Sequence, residues 1–169
     1  FPYTTLFRSM KMQIVKEIKM LREDLQNCLK EAMKSKDMKT VGAVRLIIAG
    51  QKEKDVEARA KGLEKAGDDV LLAMMQTMIK QRNESIKIYN EGNRPDLAEK
   101  EQAEIDVISR FLPKQMNAEE TDEAIKAAIA ETGAASIRDM GKVMGALKAK
   151  YAGQMDFGAA SAAIKKFLA

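Results

Sequence analysis

Residues 13–33 read QIVKEIKMLREDLQNCLKEAM, and within them Ile14, Ile18, Leu21, Leu25, Leu29 and Met33 recur at spacings of three and four. That is the period of one face of an α-helix, not the alternation of a strand. The same period continues along the chain. Asp37 is placed to cap a second helix carrying Val41, Val44, Ile47 and Ile48. After Gly67, Asp68 and Asp69 open a third, with Leu71, Met74, Met75, Met78, Ile79, Ile86 and Tyr89 on its apolar side. In the loop Glu91-Gly92-Asn93-Arg94-Pro95-Asp96, glycine ends one helix and proline opens the next. The fourth helix turns Leu97, Ile105, Ile108, Phe111 and Leu112 inward and stops at Pro113. The charged stretch 51–65, with Gly62 inside it, reads as a solvated helix end or a mobile connection.

Composition points the same way. In 169 residues there are 10 Gly, 3 Pro and 12 Met, and aromatic residues make up 5%, so few strand formers remain and the fold class predicted is all-α. The chain has no histidine, which removes the usual general base, the commonest metal ligand and every Ser-His or Cys-His pair. Its single cysteine, Cys28, has no partner for an internal bridge and lies beside the first apolar stripe, where a small buried hydrophobe is expected. On that basis a reduced, cytoplasmic compartment is expected. The longest uncharged run, Val70 to Ile79, is far short of the roughly 20 apolar residues a membrane span needs, and no membrane association is expected. Residues 1–9 precede Met10, lack the charge and apolar core of a signal peptide, and read as a non-native leader.

Beyond Pro113 the pattern restarts in a new register. This divides the chain into a helical N-terminal domain, 10–113, and a three-helix tail, 114–169. Asn117 with Glu120 makes a capping box, Ile125 and Ile129 point inward, and Gly133 closes the first tail helix. Ser136 caps the next, with Met140, Val143, Met144 and Leu147 as its buried stripe, and Asp156 starts the last, carrying Ala160, Ile164 and Leu168. The acidic group Glu119, Glu120, Asp122 and Glu123 falls in a first helical turn, where it complements the helix dipole and needs no metal. From Gly133 onward six cations face only two acids, so the net charge of +4 carried by the whole chain is concentrated on the last two helices. Lys142, Lys148 and Lys150 are expected off the buried stripe. Lys16, Lys19 and Arg22 make the first helix basic too. Gly141 and Gly145 stand inside a helix, where each costs about 1 kcal/mol relative to Ala, and on one face they let another helix or a phosphate backbone come close. Gly141-Lys142-Val143 is not a phosphate loop, because no upstream glycine and no Ser/Thr for magnesium accompany it.

The run Ser136-Ile137-Arg138-Asp139-Met140-Gly141-Lys142-Val143-Met144-Gly145-Ala146-Leu147-Lys148, followed by Gly153 and Asp156, resembles the C-terminal signature of GatB/YqeY proteins. Lys80-Gln81-Arg82-Asn83-Glu84-Ser85, then Gly92, Arg94-Pro95-Asp96-Leu97 and the stretch ending Phe111-Leu112-Pro113, resemble a free-standing YqeY-like protein. The resemblance implies a helical N-terminal domain with a small three-helix tail. It also implies kinship with the tail of the B subunit of the glutamyl/aspartyl-tRNA amidotransferase, which contacts the outer elbow of tRNA. Proteins of this kind often carry the label of a carbon–nitrogen ligase with glutamine as amide donor, a label that belongs to the large enzyme.

Taken with the resemblance, these observations lead to the expectation of a non-catalytic, tRNA-binding accessory protein. Arg138, Lys142, Lys148 and Lys150 would neutralise phosphates, while Gly141 and Gly145 permit close approach, and only Tyr151 and Phe157 stand near enough to stack. No cofactor, no metal and no catalytic residue is expected, because the chain carries no phosphate loop, no Cys-His pair and no amidase Ser/Lys signature. An alternative is a subunit that supports tRNA-dependent amidation beside separate catalytic chains, with an aminoacyl-tRNA amidotransferase or synthetase as partner. Another is a protein-interaction module using exposed Met74, Met75 and Met78, or the charged stretch 51–65.

Overall fold

The computed structural model describes residues 21–169; the leader expected at 1–9, the stripe positions Ile14 and Ile18, and Lys16 and Lys19 lie outside the described residues. Among the described residues the chain forms α-helices and no strand, so the fold is all-α. It divides into two compact units, one ending at Phe111 and the other spanning Leu112–Ala169.

The first unit holds α1 (Leu21–Lys34), α2 (Met38–Ala60), α3 (Asp68–Glu91) and α4 (Pro95–Ser109). Helix α2 packs against all three others, and α4 lies along α3. Leu21, Leu25, Val41, Val44, Ile47, Leu71, Met75, Ile105 and Ile108 are buried between them. Local chemistry sets several boundaries. The Asp37 carboxylate accepts hydrogen bonds from Thr40 N at 3.2 Å and Thr40 Oγ1 at 2.6 Å, which starts α2. Pro95 sits in the first turn of α4, where its missing N–H costs nothing. Gly67 itself is the cap residue of α3, so Asp68 and Asp69 lie inside its first turn.

Of the two readings open to the charged stretch 51–65, it is a solvated helix end for most of its length, because nothing breaks α2 before Gly62, which takes φ +81. One expectation is corrected. Met33 is 53% exposed while its neighbour Ala32 is buried. Steps of four residues overshoot the helical repeat, so three such steps from Leu21 rotate Met33 about 120° off the stripe, whereas Ala32 returns close to it.

Two arginines tie the helices of this unit together. Arg22 sends Nη1 and Nη2 to the two oxygens of Asp55 on α2 at 2.9 and 2.8 Å, and Nη2 also reaches Ala66 O at 2.8 Å. Asp55 in turn accepts from Ala66 N at 2.9 Å. One half-buried fork thus joins α1, α2 and the turn before α3, and the hydrogen bond from Arg22 holds the Asp55 carboxyl down at a pKa of about 2. On the other side, Arg82 of α3 donates from Nε to Glu104 of α4 at 2.8 Å and from Nη1 to Met78 O at 3.1 Å.

The second unit comprises α5 (Ala118–Thr132), a 3-10 turn (Ile137–Asp139), α6 (Met140–Tyr151) and α7 (Phe157–Leu168). Asn117 and Glu120 exchange hydrogen bonds as a capping box, and Asp156 accepts from Gly158 N and Ala159 N at the start of α7. Ile125, Val143, Leu147, Met155, Ala160 and Ile164 form the core, with Ala124 and Ala128 keeping α5 close to its neighbours. Ser136 precedes the 3-10 turn and makes no side-chain cap, so the helix expected to start there begins in earnest at Met140.

Asp55 has a folded pKa below its unfolded value. Its contribution is therefore complete above about pH 4 and is lost as the pH falls towards 2. Replacing Asp55 by Ala, which strands both Arg22 and Ala66 N, should cost about 1–3 kcal/mol at pH 7 in urea unfolding. The gap between wild type and variant should narrow between pH 4 and pH 2.

Candidate nucleic-acid interface

Burial of Val143 and Leu147 fixes the rotation of α6 about its axis. The outward side of the helix then carries Gly141, Gly145 and Lys148, spaced by four and three, with Lys142 on its flank; all four are exposed. A β-carbon added at Gly141 or at Gly145 would meet no neighbouring atom within 4 Å. No helix of this unit comes close enough there to account for either glycine.

At the head of α6, Asp139 N donates to Ser136 O at 2.9 Å, and the Asp139 carboxylate accepts from Ala135 N at 3.1 Å. The same carboxylate holds Lys142 Nζ at 3.3 Å. The Ala135 N–H foremost, and then Lys142, pull the Asp139 carboxyl below its ordinary range, so it is ionised at neutral pH and locks the turn. Arg138 and Lys148 are exposed and form no ion pair among the described residues.

Lys150 departs from its expected place. It follows Val143 by seven residues and Leu147 by three, which turns it to the inward side of α6. There it is half-buried and bonded to Glu131 of α5 at 2.5 Å. The residues that α6 turns outward are therefore Gly141, Lys142, Gly145 and Lys148, and Arg138 is exposed on the 3-10 turn that precedes them. Tyr151 and Phe157, the aromatics expected to be available for stacking, are both partly buried against the core. An exposed ring that sequence reasoning did not single out is Phe167, with Lys126 Nζ 5.5 Å from its centroid. The two are on different helices, and nothing in their sequence spacing marks the contact.

An open depression of about 480 Å3 in the same unit is lined by Met116, Glu120, Glu123, Ala124, Ala127 and Tyr151, among others. Glu120 is already committed to the cap of α5. Among the described residues no three acidic or sulfur ligands gather as a metal site, and no helix is long and apolar enough to cross a membrane. Cys28 is half-buried, and burial pushes its thiol pKa up, so it is protonated at neutral pH. The methionines expected on the apolar side of α3 are not an exposed surface, which removes the main feature of the protein-interaction alternative; Met74 and Met78 are half-buried. Met75 is fully buried, and the Met74 sulfur packs where a β-carbon of Gly50 would stand, 2.7 Å away.

A sequence profile of the family described as Yqey-like protein matches residues 22–168. Curated relatives share the name altered inheritance of mitochondria protein 41, mitochondrial. The protein from Candida glabrata is 38% identical over 88 residues, 52% of this chain and 47% of the relative. That from Lachancea thermotolerans is 34% identical over 89 residues, 53% of this chain and 46% of the relative. The chain thus spans about half the length of these two. The protein from Pyrenophora tritici-repentis is 32% identical over 131 residues, 75% of this chain and 70% of the relative. The cytoplasmic compartment expected from the cysteine count does not stand against relatives named as mitochondrial. A lone thiol forms no internal bridge in any compartment, so it had no power to separate them. The match over residues 22–168 establishes that the chain belongs to the Yqey-like protein family.

Proposed function

We propose that the chain is a non-catalytic tRNA-binding protein whose second unit docks on the backbone and shape of the folded RNA. The observation that carries this reading is the outer face of α6, where Gly141 and Gly145 leave an uncovered strip beside Lys142 and Lys148, with Arg138 exposed on the turn just before the helix. Gly145 stands inside α6 and weakens it, Gly141 lies in its first turn, and at neither does internal packing account for the glycine. A close-approaching partner does so, and the cations give that partner negative charge. RNA backbone has the charge and the curved, side-chain-free surface that such a strip accepts, whereas base-specific reading has no exposed aromatic on this face to support it.

Kinship with the tail of the amidotransferase B subunit is part of the same proposal, as is a partnership with an amidotransferase or an aminoacyl-tRNA synthetase that supplies the chemistry. The chain itself contributes no step of amide transfer in this reading. It has no histidine, and its one thiol is protonated and turned into an apolar helix face.

Gly145→Ala should raise thermal or urea stability by up to about 1 kcal/mol, and Gly141→Ala, in the first turn of α6, by less, because the added methyl meets nothing and favours the helix. The same variants should bind tRNA more weakly. A gain in stability with unchanged affinity would remove the close-approach argument.

Neutralising Lys142 and Lys148 together as Gln should leave helical content intact. For each phosphate that is no longer neutralised, the slope of log affinity against log salt should fall by about 0.7 to 0.9. The matched control is Lys80 and Lys87 of α3, both exposed. Arg22 is unsuitable for that purpose because it holds the first unit together. If the α3 pair weakens tRNA binding as much as the α6 pair, only the general attraction of a basic protein for RNA survives.

A further inference from the structure

Helix α7 packs against both α6 and the 3-10 turn that carries Arg138. The point of contact is marked by Ser161, whose hydroxyl lies 3.9 Å from the Met140 sulfur at the head of α6. Lys165 follows Ser161 by four residues and so stands on the same edge of α7, one turn further along. Lys166 stands about 100° further round the helix, away from that edge. Both lysines are exposed and neither forms an ion pair among the described residues. The inward positions of α7 are Ala160 and Ile164, so neither lysine is part of the core.

We propose that Lys165 is a phosphate-binding residue continuous with the α6 face, and that the RNA surface of this unit runs from Lys148 past Arg138 onto one edge of α7, leaving Lys166 outside it. The inference rests on the reading of α6 as an RNA-binding face. It adds that the surface is formed by two helices and that it distinguishes between two adjacent lysines of identical charge.

The packing explains why the edge matters. A single α6 face offers a line of cations no longer than the 12-residue helix. A folded RNA presents phosphates on a curved surface, and contact with more than one of its backbone segments needs cations on a second element held at a fixed angle to the first. Through Ser161 and the 3-10 turn, α7 is the element so held. Its outward side near this edge carries Gly158 and Ala162, both exposed, so no bulky side chain stands between Lys165 and an approaching backbone.

The experiment compares wild type with Lys165→Gln, Lys166→Gln and Lys148→Gln, measuring binding of bulk tRNA across a potassium chloride series alongside far-ultraviolet circular dichroism and thermal unfolding. All three substitutions are at exposed positions and should leave the fold and its stability unchanged. Lys165→Gln and Lys148→Gln should each lower the salt slope by about 0.7 to 0.9, while Lys166→Gln leaves it unchanged. If Lys148→Gln lowers the slope and Lys165→Gln does not, or if Lys166→Gln does so equally, the two-helix surface is wrong and the α6 face stands alone. If neither Lys148→Gln nor Lys165→Gln changes the slope, the RNA-binding reading of α6 falls, and this inference with it.

Discussion

Two side chains, Val143 and Leu147, decide what the second unit presents to its surroundings. Both are fully buried, and an α-helix with two residues of one stripe inserted in a core cannot rotate about its axis. Gly141, Gly145 and Lys148 are carried outward as a consequence, and Lys150 inward. Helices of 12 to 15 residues are marginal in isolation, so α5, α6 and α7 owe their persistence to this shared core rather than to propensity. Alanines at 124, 128 and 160 keep the helices near one another, and Met155 fills the space beneath the turn that joins α6 to α7.

The acids and bases of the chain divide by task. Several acidic groups of the second unit complete backbone structure: Glu120 in the cap of α5, Asp139 in the 3-10 turn, Asp156 at the start of α7. Glu131 neutralises Lys150. Arg138 and Lys148 form no ion pair among the described residues. In the first unit two arginines do the opposite work. Arg22 and Arg82 are largely covered, each holding a carboxylate and a backbone carbonyl, and their charge is spent on joining helices. Two arginines and an outwardly similar Arg138 thus have unlike roles, and only their surroundings separate them.

Much of this was legible in the chain. Apolar spacing, the Asp37 and Asn117 caps, Pro95 and the absence of strand formers were enough for the helices and their order, because each depends on residues within about one turn of one another. The glycine pair and the cations around it were also visible, as was the likeness to a family that the match over residues 22–168 then established. Where the expected positions and the structure part, the cause is mostly accumulated rotation. Met33 rotates off the stripe drawn for it because steps of four overshoot a period of 3.6, and Lys150 falls back onto the buried side because seven residues nearly complete two turns.

What the sequence determined by itself, then, is everything set by local chemistry: the all-α class, the helix ends at their caps, the concentration of positive charge after Gly133. Tertiary structure alone decided which charges are free. Arg22 finds Asp55 33 residues away, and Lys150 finds Glu131 19 residues away. Those pairings depend on the angle and height at which one helix crosses another. The crossing is fixed by how buried side chains such as Val143, Leu147 and Ile164 interlock, and no periodicity within a single helix encodes it.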